Sequence, residues 1–304
     1  MATASDLIES TRRYLFSGQS EQLNRLSAAI NASVQTFVTT YALSGIQAGA
    51  VVSIDLEDIL ILQVNTTTST VSDAQRGWNG TTAASHAINA IVTVNPKFTN
   101  FRVLEALNND LLDLSAPDNG LYRIQTIDLT FNPVKYGYDL AGATDIISIA
   151  EVRFRMHGPT RTWPLIKNYA LTRDMPTTGT FGDFPSGFGL ILYQPAYPGF
   201  PIRVRYKAPL GTLVNLTDDL VTTTGINASA VDLPPIGAAI RLVAGREIKR
   251  SFDEAQGEPR RAEETPPQSQ LIGMKNLQML RQARIHAEVS RLQRRYGYVL
   301  VGAG

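Results

Sequence analysis

The chain has 304 residues, of which 43% are hydrophobic and 18% charged, and its formal net charge is +1. This length and balance predict a globular protein of about two domains, and the small net charge excludes strong bulk attraction to nucleic acid or anionic membranes. The sequence contains no cysteine, which excludes disulfides, thiolate metal sites and a cysteine nucleophile.

The N-terminal region, residues 1–119, is expected to begin with helices and continue with strands. Apolar residues at helical spacing predict helices over 5–16 and 19–31, and Asp6 is the expected cap of the first. An apolar stripe predicts a further helix over 101–114, capped by Asn100. Alternating apolar residues between these helices predict short strands, near 38–42, 51–54, 59–64, 68–72 and 88–94.

The rest of the chain divides into a strand-rich region, 120–232, and a helical region, 233–304. Many short strands separated by Gly and Pro are typical of a sandwich or jelly roll. The helical region contains two predicted helices, at 233–252 and 269–296. A charged, Pro-containing linker at 253–268 lies between them in the sequence. We therefore predict an α+β fold in which terminal helices form a helical layer and a β-sandwich or jelly-roll-like body is inserted between them.

Sequence patterns that would indicate an enzyme are weak. The three histidines, His86, His157 and His286, are far apart, and no HExxH, GxSxG or P-loop motif occurs. We therefore expect no catalytic residue, no cofactor and no bound metal.

Paired carboxylates leave one alternative open. Asp55, Glu57 and Asp58 lie close together, and carboxylate pairs can hydrolyse glycosides, but acidic residues at turns usually bond to their own backbone. A jelly roll with several aromatic side chains could also hold sugars, here Trp163, Tyr169, Tyr193 and Tyr197. A carbohydrate-binding-like β-sandwich is thus an alternative expectation.

A turn motif occupies residues 76–86. Its glycines suit a strand that must turn sharply, and its threonines can satisfy backbone groups in the turn. We expect the motif to form this turn or to contact a neighbouring subunit, through Arg76, Gly77, Asn79, Gly80, Thr81 and His86. It is preceded by an acidic hairpin, Ile54-Asp-Leu-Glu57, and followed by a strand that ends in Asn95-Pro96.

The acidic hairpin, the turn motif and the strand that follows them together resemble a pattern in virion proteins that connect the head and tail of tailed bacteriophages. The segments Thr11–Leu15, Asn24–Leu26 and Ala106–Leu121 are similar to the N-terminal helices of these connectors and to the helix and turn that introduce their β-domain. The resemblance implies a structural subunit of a homo-oligomeric ring in the virion neck, made in the host cytoplasm. It also implies contact with the portal protein and other neck or tail proteins, DNA passing through the ring without sequence-specific binding, and no membrane contact.

The C-terminal helix is strongly basic. Between residues 270 and 296 it carries six basic residues and a single acidic one, Glu288. Basic residues near a helix C-terminus can simply complement the helix dipole. The alternative is that the helix docks on an acidic portal surface and that the apolar tail adds a strand to a portal sheet. The residues predicted for this contact are Arg281, Arg284, Arg291, Arg294, Arg295, Tyr296, Tyr298, Val299, Leu300 and Val301.

Overall fold

The computed structural model shows a mixed α+β protein with two compact units. The first unit comprises Met1–Leu111, Thr212–Thr223 and Val231–Ala283, and the second comprises Leu112–Gly211, Thr224–Ala230 and Arg284–Gly304. The structure describes residues 2–15, 22–43, 45–68, 70–132, 134–135, 137–143, 145–156, 162–178, 184–193, 200–254 and 269–295, with the backbone alone at 244–254 and 269–272. The predicted linker at 253–268 therefore lies almost wholly outside the described residues.

The observed helices match most of the predicted ones, whereas the capping residues differ from those predicted. They are α1 (Ala4–Leu15), α2 (Asn100–Leu114), α3 (Leu220–Thr224), α4 (Leu233–Glu254) and α5 (Ser269–Arg295). Those predicted over 5–16, 101–114, 233–252 and 269–296 are confirmed as α1, α2, α4 and α5. The predicted caps are wrong by a few residues. Thr3 caps α1 in a reciprocal pair with Asp6, and Thr99 accepts a hydrogen bond from the Arg102 N–H at the start of α2.

A curled antiparallel sheet of six strands forms the body of the first unit. Its strands are β1 (Gln22–Arg25), β2 (Phe37–Val38), β3 (Val51–Ile54), β4 (Glu57–Asn65), β5 (Thr70–Trp78) and β6 (Ile91–Val94). Their order in the sheet is β1-β6-β3-β4-β5-β2. The outer strands meet, because Leu26 and Thr39 form a β-bridge and the Thr40 N–H donates to the Arg25 carbonyl at 2.8 Å. Apolar side chains fill the inside of the curl, including fully buried Ile54, Ile59 and Ile61.

The helix predicted over 19–31 is wrong, because this part of the chain forms β1 and the bridges that follow it. Leu26 and Ile30 have the spacing of a helix face, but both side chains lie in the core of the sheet. Leu23, which a helix would have placed with them, is 59% exposed. The apolar spacing reflects a strand followed by an irregular turn rather than one helical face.

Packing between helices completes the first unit. Helix α1 packs against α4 and buries Leu7 and Ile8. Asp110 of α2 is buried and accepts a hydrogen bond from Arg281 of α5 at 2.7 Å. The Asp110 carboxylate also lies against the backbone of α4 at Gly237, where an added Cβ would sit 1.8 Å from Oδ1. Glycine is thus required there because the acidic side chain occupies the space that a Cβ would need.

The second unit is strand-rich, as predicted within residues 120–232. Its strands are β7 (Arg123–Thr130), β8 (Gly137–Asp139), β9 (Ser148–Phe154), β10 (Leu165–Ile166), β11 (Tyr169–Thr172), β12 (Gly189–Leu192) and β13 (Pro201–Ala208). One sheet has four strands in the order β10-β9-β13-β7, and the other has three in the order β11-β12-β8. Both sheets contribute to one hydrophobic cluster that includes Val152, Val204, Leu190 and Tyr138.

Candidate functional site

The turn motif is organised around a buried ion pair between Glu57 and Arg76. Glu57 begins β4 and is 1% exposed, and Arg76 lies on the adjacent strand β5. The guanidinium donates Nε to Oε1 at 2.7 Å and Nη2 to Oε2 at 2.8 Å. This two-pronged geometry is the strongest that an arginine and a carboxylate can form.

Arg76 also binds three backbone carbonyls from two other segments. Its Nη1 donates to Asn31 at 2.8 Å and to Val34 at 2.7 Å, and its Nη2 donates to Ala84 at 2.6 Å. The guanidinium therefore joins the loop after β1, the hairpin of β4 and β5, and the segment that follows the turn. Arginine suits this position because its donors have fixed directions in one plane.

Glu57 accepts hydrogen bonds from three further groups. They are the Gly77 and Ala84 N–H groups, each at 2.9 Å, and Nε2 of His86 at 2.9 Å. Burial alone would raise the pKa of this carboxyl group, but the hydrogen bonds from Arg76, His86 and the two backbone groups outweigh it and lower the pKa to about 2. Glu57 is therefore ionised at every pH at which the protein is expected to work.

His86 lies between two carboxylates. Its Nδ1 contacts Asp55 Oδ2 at 2.7 Å while Nε2 contacts Glu57, and its backbone pairs with Ile30 in both directions. Burial lowers the pKa of His86, but the hydrogen bonds and charges of Asp55 and Glu57 outweigh this and raise it. Since both ring nitrogens are occupied, the imidazole stabilises the fold as a cation and is poorly placed to act as a general base on a substrate.

The turn itself uses backbone conformations that suit glycine and asparagine. Gly77, Asn79 and Gly80 have φ values of 65°, 56° and 80°. Thr81 Oγ1 donates to the Trp78 carbonyl at 2.8 Å and accepts from the Asp58 N–H at 3.1 Å. The predicted motif residues therefore come together in one local structure of the first unit, where Arg76, Gly77 and His86 contact Glu57 directly and Asn79, Gly80 and Thr81 shape the turn.

The other carboxylates serve local structure rather than a paired acid–base site. Asp218 and Asp219 accept hydrogen bonds from nearby backbone N–H groups, and both have lowered pKa values for that reason. Asp58 is fully buried, and this burial raises its pKa by more than the nearby Ser53, Thr99 and Asn79 side chains lower it. Neither oxygen of Asp58 has a hydrogen bond among the described residues.

Three arginines of the predicted partner surface on α5 are engaged within the chain. In the first unit Arg281 binds Asp110, and in the second Arg284 donates to the Ser229 carbonyl at 2.7 Å and Arg291 pairs with Glu288 at 3.0 Å. Arg294 and Arg295 are exposed. The remaining predicted residues, Tyr296, Tyr298, Val299, Leu300 and Val301, lie outside the described residues.

A cavity of about 830 Å³ lies in the second unit. Of the aromatic residues considered for sugar binding, Tyr169 lines it and is joined there by Tyr122, Lys207 and Arg173. Lys207 Nζ lies over the Tyr122 ring, 4.4 Å from its centroid. Trp163 instead stacks on Arg203, and Tyr197 lies outside the described residues.

The sequence pointed to the motif but not to all of its partners. The carbonyls of Asn31 and Val34 carry no sequence signal, because every residue has a carbonyl group. The contact between His86 and Asp55 could have been suspected from the acidic hairpin that the resemblance already included.

Comparison with protein-family models found no match, and comparison with curated protein sequences found none either. Within the described ranges, no helix is long and apolar enough to cross a membrane. The same residues contain no group of three or more His, Asp or Glu side chains arranged to hold a metal ion.

Proposed function

We propose that this chain is a non-enzymatic structural subunit of a homo-oligomeric ring in the neck of a tailed-phage virion. The ring joins the portal to the tail, contacts other neck or tail proteins, and surrounds the passing DNA without reading its sequence. In this proposal the helices at both ends of the chain form a helical layer, and the two sheets of the second unit form the sandwich between them.

One observation carries the proposal. The residues on which the connector resemblance rests, Glu57, Arg76, Gly77 and His86, are up to 29 positions apart in sequence yet form one buried network. A chance likeness of short motifs would give no reason for these side chains to meet. Their convergence supports the view that the motif is a folding unit. A motif whose polar groups are engaged in contacts within the fold suits a protein that works through its shape rather than through a reactive group.

The decisive test is the location of the polypeptide. We expect mass spectrometry of purified virions to detect it, and cryo-electron microscopy of the neck to place its density between the portal and the tail. Virions that assemble and infect without the polypeptide would refute the proposal, as would a substrate that it turns over.

A second test concerns the expected portal contact. Deletion of residues 297–304 should prevent head joining while the curled sheet and the second unit keep their circular dichroism spectrum and their thermal midpoint. A matched deletion of the same length within 255–266 controls for chain shortening. Normal assembly of the chain lacking 297–304 would contradict the role of the tail.

The cavity in the second unit favours a second candidate, a tail or baseplate protein that binds carbohydrate. Tyrosine rings and polar side chains around a concave site of this size are typical of small-molecule binding. Binding on a glycan array that is lost with Tyr169→Ala, together with absence from the neck density, would favour this candidate over the connector.

A further inference from the structure

The four-stranded sheet of the second unit has two edges, β7 and β10, and β7 is the longer of the two. Strand β7 has eight residues and pairs with β13 along its whole length without a register shift. Its other side has no neighbouring strand among the described elements. An edge of this length is a template for further pairing, and natural proteins usually protect such edges with bulges, prolines or lysines. Strand β7 contains neither proline nor lysine.

The direction of each backbone group in β7 follows from one hydrogen bond. The Phe131 N–H donates to the Phe200 carbonyl on the β13 side at 3.0 Å. Because backbone groups alternate in direction along a strand, the N–H and C=O groups of every second residue point away from the sheet. These residues are Ile124, Thr126, Asp128 and Thr130, and none of their backbone groups has a hydrogen bond in the described part of the chain.

The opposite edge is longer than β10 itself. The Phe154 N–H donates to the Pro164 carbonyl and the Met156 N–H to the Thr162 carbonyl, so residues 162–166 run beside β9. By the same alternation, the backbone groups of Leu165 point outward. Leu165 and Thr126 lie on the same face of the sheet, because Leu165 pairs with Arg153 and Thr126 pairs with Arg205 on the solvent side.

We propose that β7 of one copy of this chain pairs with the 162–166 edge of the next copy, so that the four-stranded sheets of neighbouring subunits join into one continuous sheet. This inference rests on the proposed ring. Copies in a ring that surrounds one DNA axis all have the same orientation, and a contact between two different surfaces is the kind that closes a ring.

The direction of the strands agrees with this pairing. All neighbouring strands of the sheet are antiparallel, and their number is four. With an even number of alternating strands, the first strand of the next copy runs antiparallel to β7 when both copies have the same orientation. Pairing of β7 with β7 would instead relate the copies by a two-fold axis, which a ring around one DNA axis does not allow.

Charge also favours a second copy as the occupant. Asp128 lies on the solvent face at the β7 edge, where its side chain is 47% exposed. With Thr126 facing Leu165, Asp128 of one copy faces Trp163 of the next, and the Arg203 guanidinium of that next copy lies 4.6 Å from the centroid of the Trp163 ring. Joining the two edges therefore brings an acidic side chain close to a basic one on the same face of the new ladder.

The absence of native cysteine makes disulfide trapping a direct test. Facing residues of an antiparallel pair have Cα atoms about 5.5 Å apart, which is within disulfide range. We expect the double variant Thr126→Cys/Leu165→Cys, incorporated into particles and oxidised, to give a ladder of cross-linked oligomers on a non-reducing gel. The single variants serve as matched controls and should give no ladder.

A proline variant tests the hydrogen bonds themselves. Thr126→Pro removes an outward N–H at an edge position where proline is tolerated, and Thr126→Val keeps that N–H and the branched side chain. We expect the proline variant to weaken subunit association by about tenfold or more, and the valine variant to match the native chain. Equal thermal midpoints for both variants verify that the fold is retained.

The outcomes separate the inference from the proposed function. Virions that contain the ring but give no ladder, or that assemble equally well with Thr126→Pro, would overturn the edge pairing and leave the ring intact. Dimers from Thr126→Cys alone would show pairing of β7 with β7 and would also overturn it. Absence of the chain from the virion neck would defeat the proposed function itself.

Discussion

Charged side chains occupy contrasting environments in the two units. In the first unit Glu57 and Arg76 pair inside the fold, with side-chain exposures of 0% and 5%. In the second unit Asp128 and Arg203 form an equally short ion pair on an open sheet face, with exposures of 47% and 36%. Solvent screens the exposed pair, whereas removal of one partner from the buried pair leaves an uncompensated charge. Removal of one partner of an Arg–carboxylate ion pair should therefore lower the free energy of unfolding strongly in the first unit and only slightly in the second.

The two tryptophans allow this comparison to be measured within one chain. Trp78 lies in the first unit and Trp163 in the second, and the sequence contains no other tryptophan. Trp163→Phe leaves a fluorescence signal from the first unit, and Trp78→Phe leaves one from the second. Urea unfolding of these two backgrounds gives a free energy of unfolding for each unit.

The largest effect is expected from Arg76→Met. This change removes both hydrogen bonds from Arg76 to Glu57 and leaves the carboxylate buried without its cation, so the first unit should lose about 3–5 kcal/mol of unfolding free energy. Urea unfolding monitored by Trp78 measures the loss. Recovery of stability in the double variant Arg76→Met/Glu57→Leu would identify the unpaired carboxylate as the cause, whereas a loss under 1 kcal/mol would show that the network contributes little.

Acid should weaken the first unit through Glu57. Its pKa is about 2 in the fold against an ordinary value of 4.5, so its contribution of roughly 3 kcal/mol is present above pH 4.5 and is lost as the pH falls towards 2. A pH series of Trp78-monitored unfolding, with Glu57→Gln as the control, measures this slope. An identical slope in the control would contradict the assignment.

The pH dependence of stability expected from His86 has the opposite sign to that expected from Glu57. Its pKa is raised above the ordinary value of 6.5, so its contribution is complete below that value and is lost as the pH rises through the pKa in the fold. We expect the unfolding free energy of the first unit to fall on the alkaline side, and His86→Gln to remove that fall. The second unit should show no such decline below pH 10, the ordinary pKa of Tyr138, Tyr169 and Tyr206, whose pKa values burial raises in the fold.

Gly77→Ala should cost about 1–2 kcal/mol because φ is positive at this position. The added Cβ would also lie 3.0 Å from the Thr81 carbonyl oxygen, which is closer than a normal contact. Gly80→Ala is the matched control, since φ is positive there as well but nothing lies within 4 Å of its Cβ. The difference between the two thermal midpoints isolates the close contact, and equal midpoints would show that the loop yields to it.

The smallest effect is expected from Asp128→Asn. This variant removes the charge of the exposed pair but keeps a similar shape, so the second unit should lose 0–1 kcal/mol, measured through Trp163 at low salt. A loss comparable to that of Arg76→Met would break the contrast between the two units.

Much of the helical structure and the location of the motif could be predicted from the sequence, because long apolar stripes and clustered glycines are local signals. The strand at Gln22–Arg25 could not, since Leu26 and Ile30 repeat at a spacing that fits a helix equally well. The central role of Glu57 was visible only through the resemblance, and the roles of the Asn31 and Val34 carbonyls depend on a chain path that no local pattern encodes.

The order of the segments along the chain also affects how the protein folds while it is being synthesised on the ribosome. The two units alternate along the sequence, and α1 packs against α4, which begins at Leu233. At roughly 5–20 residues per second, the apolar face of α1 emerges tens of seconds before the helix that covers it. The strands of both units emerge before α4 and can pair during this interval, whereas α1 still lacks its partner helix, so its uncovered apolar face is where a chaperone would bind meanwhile.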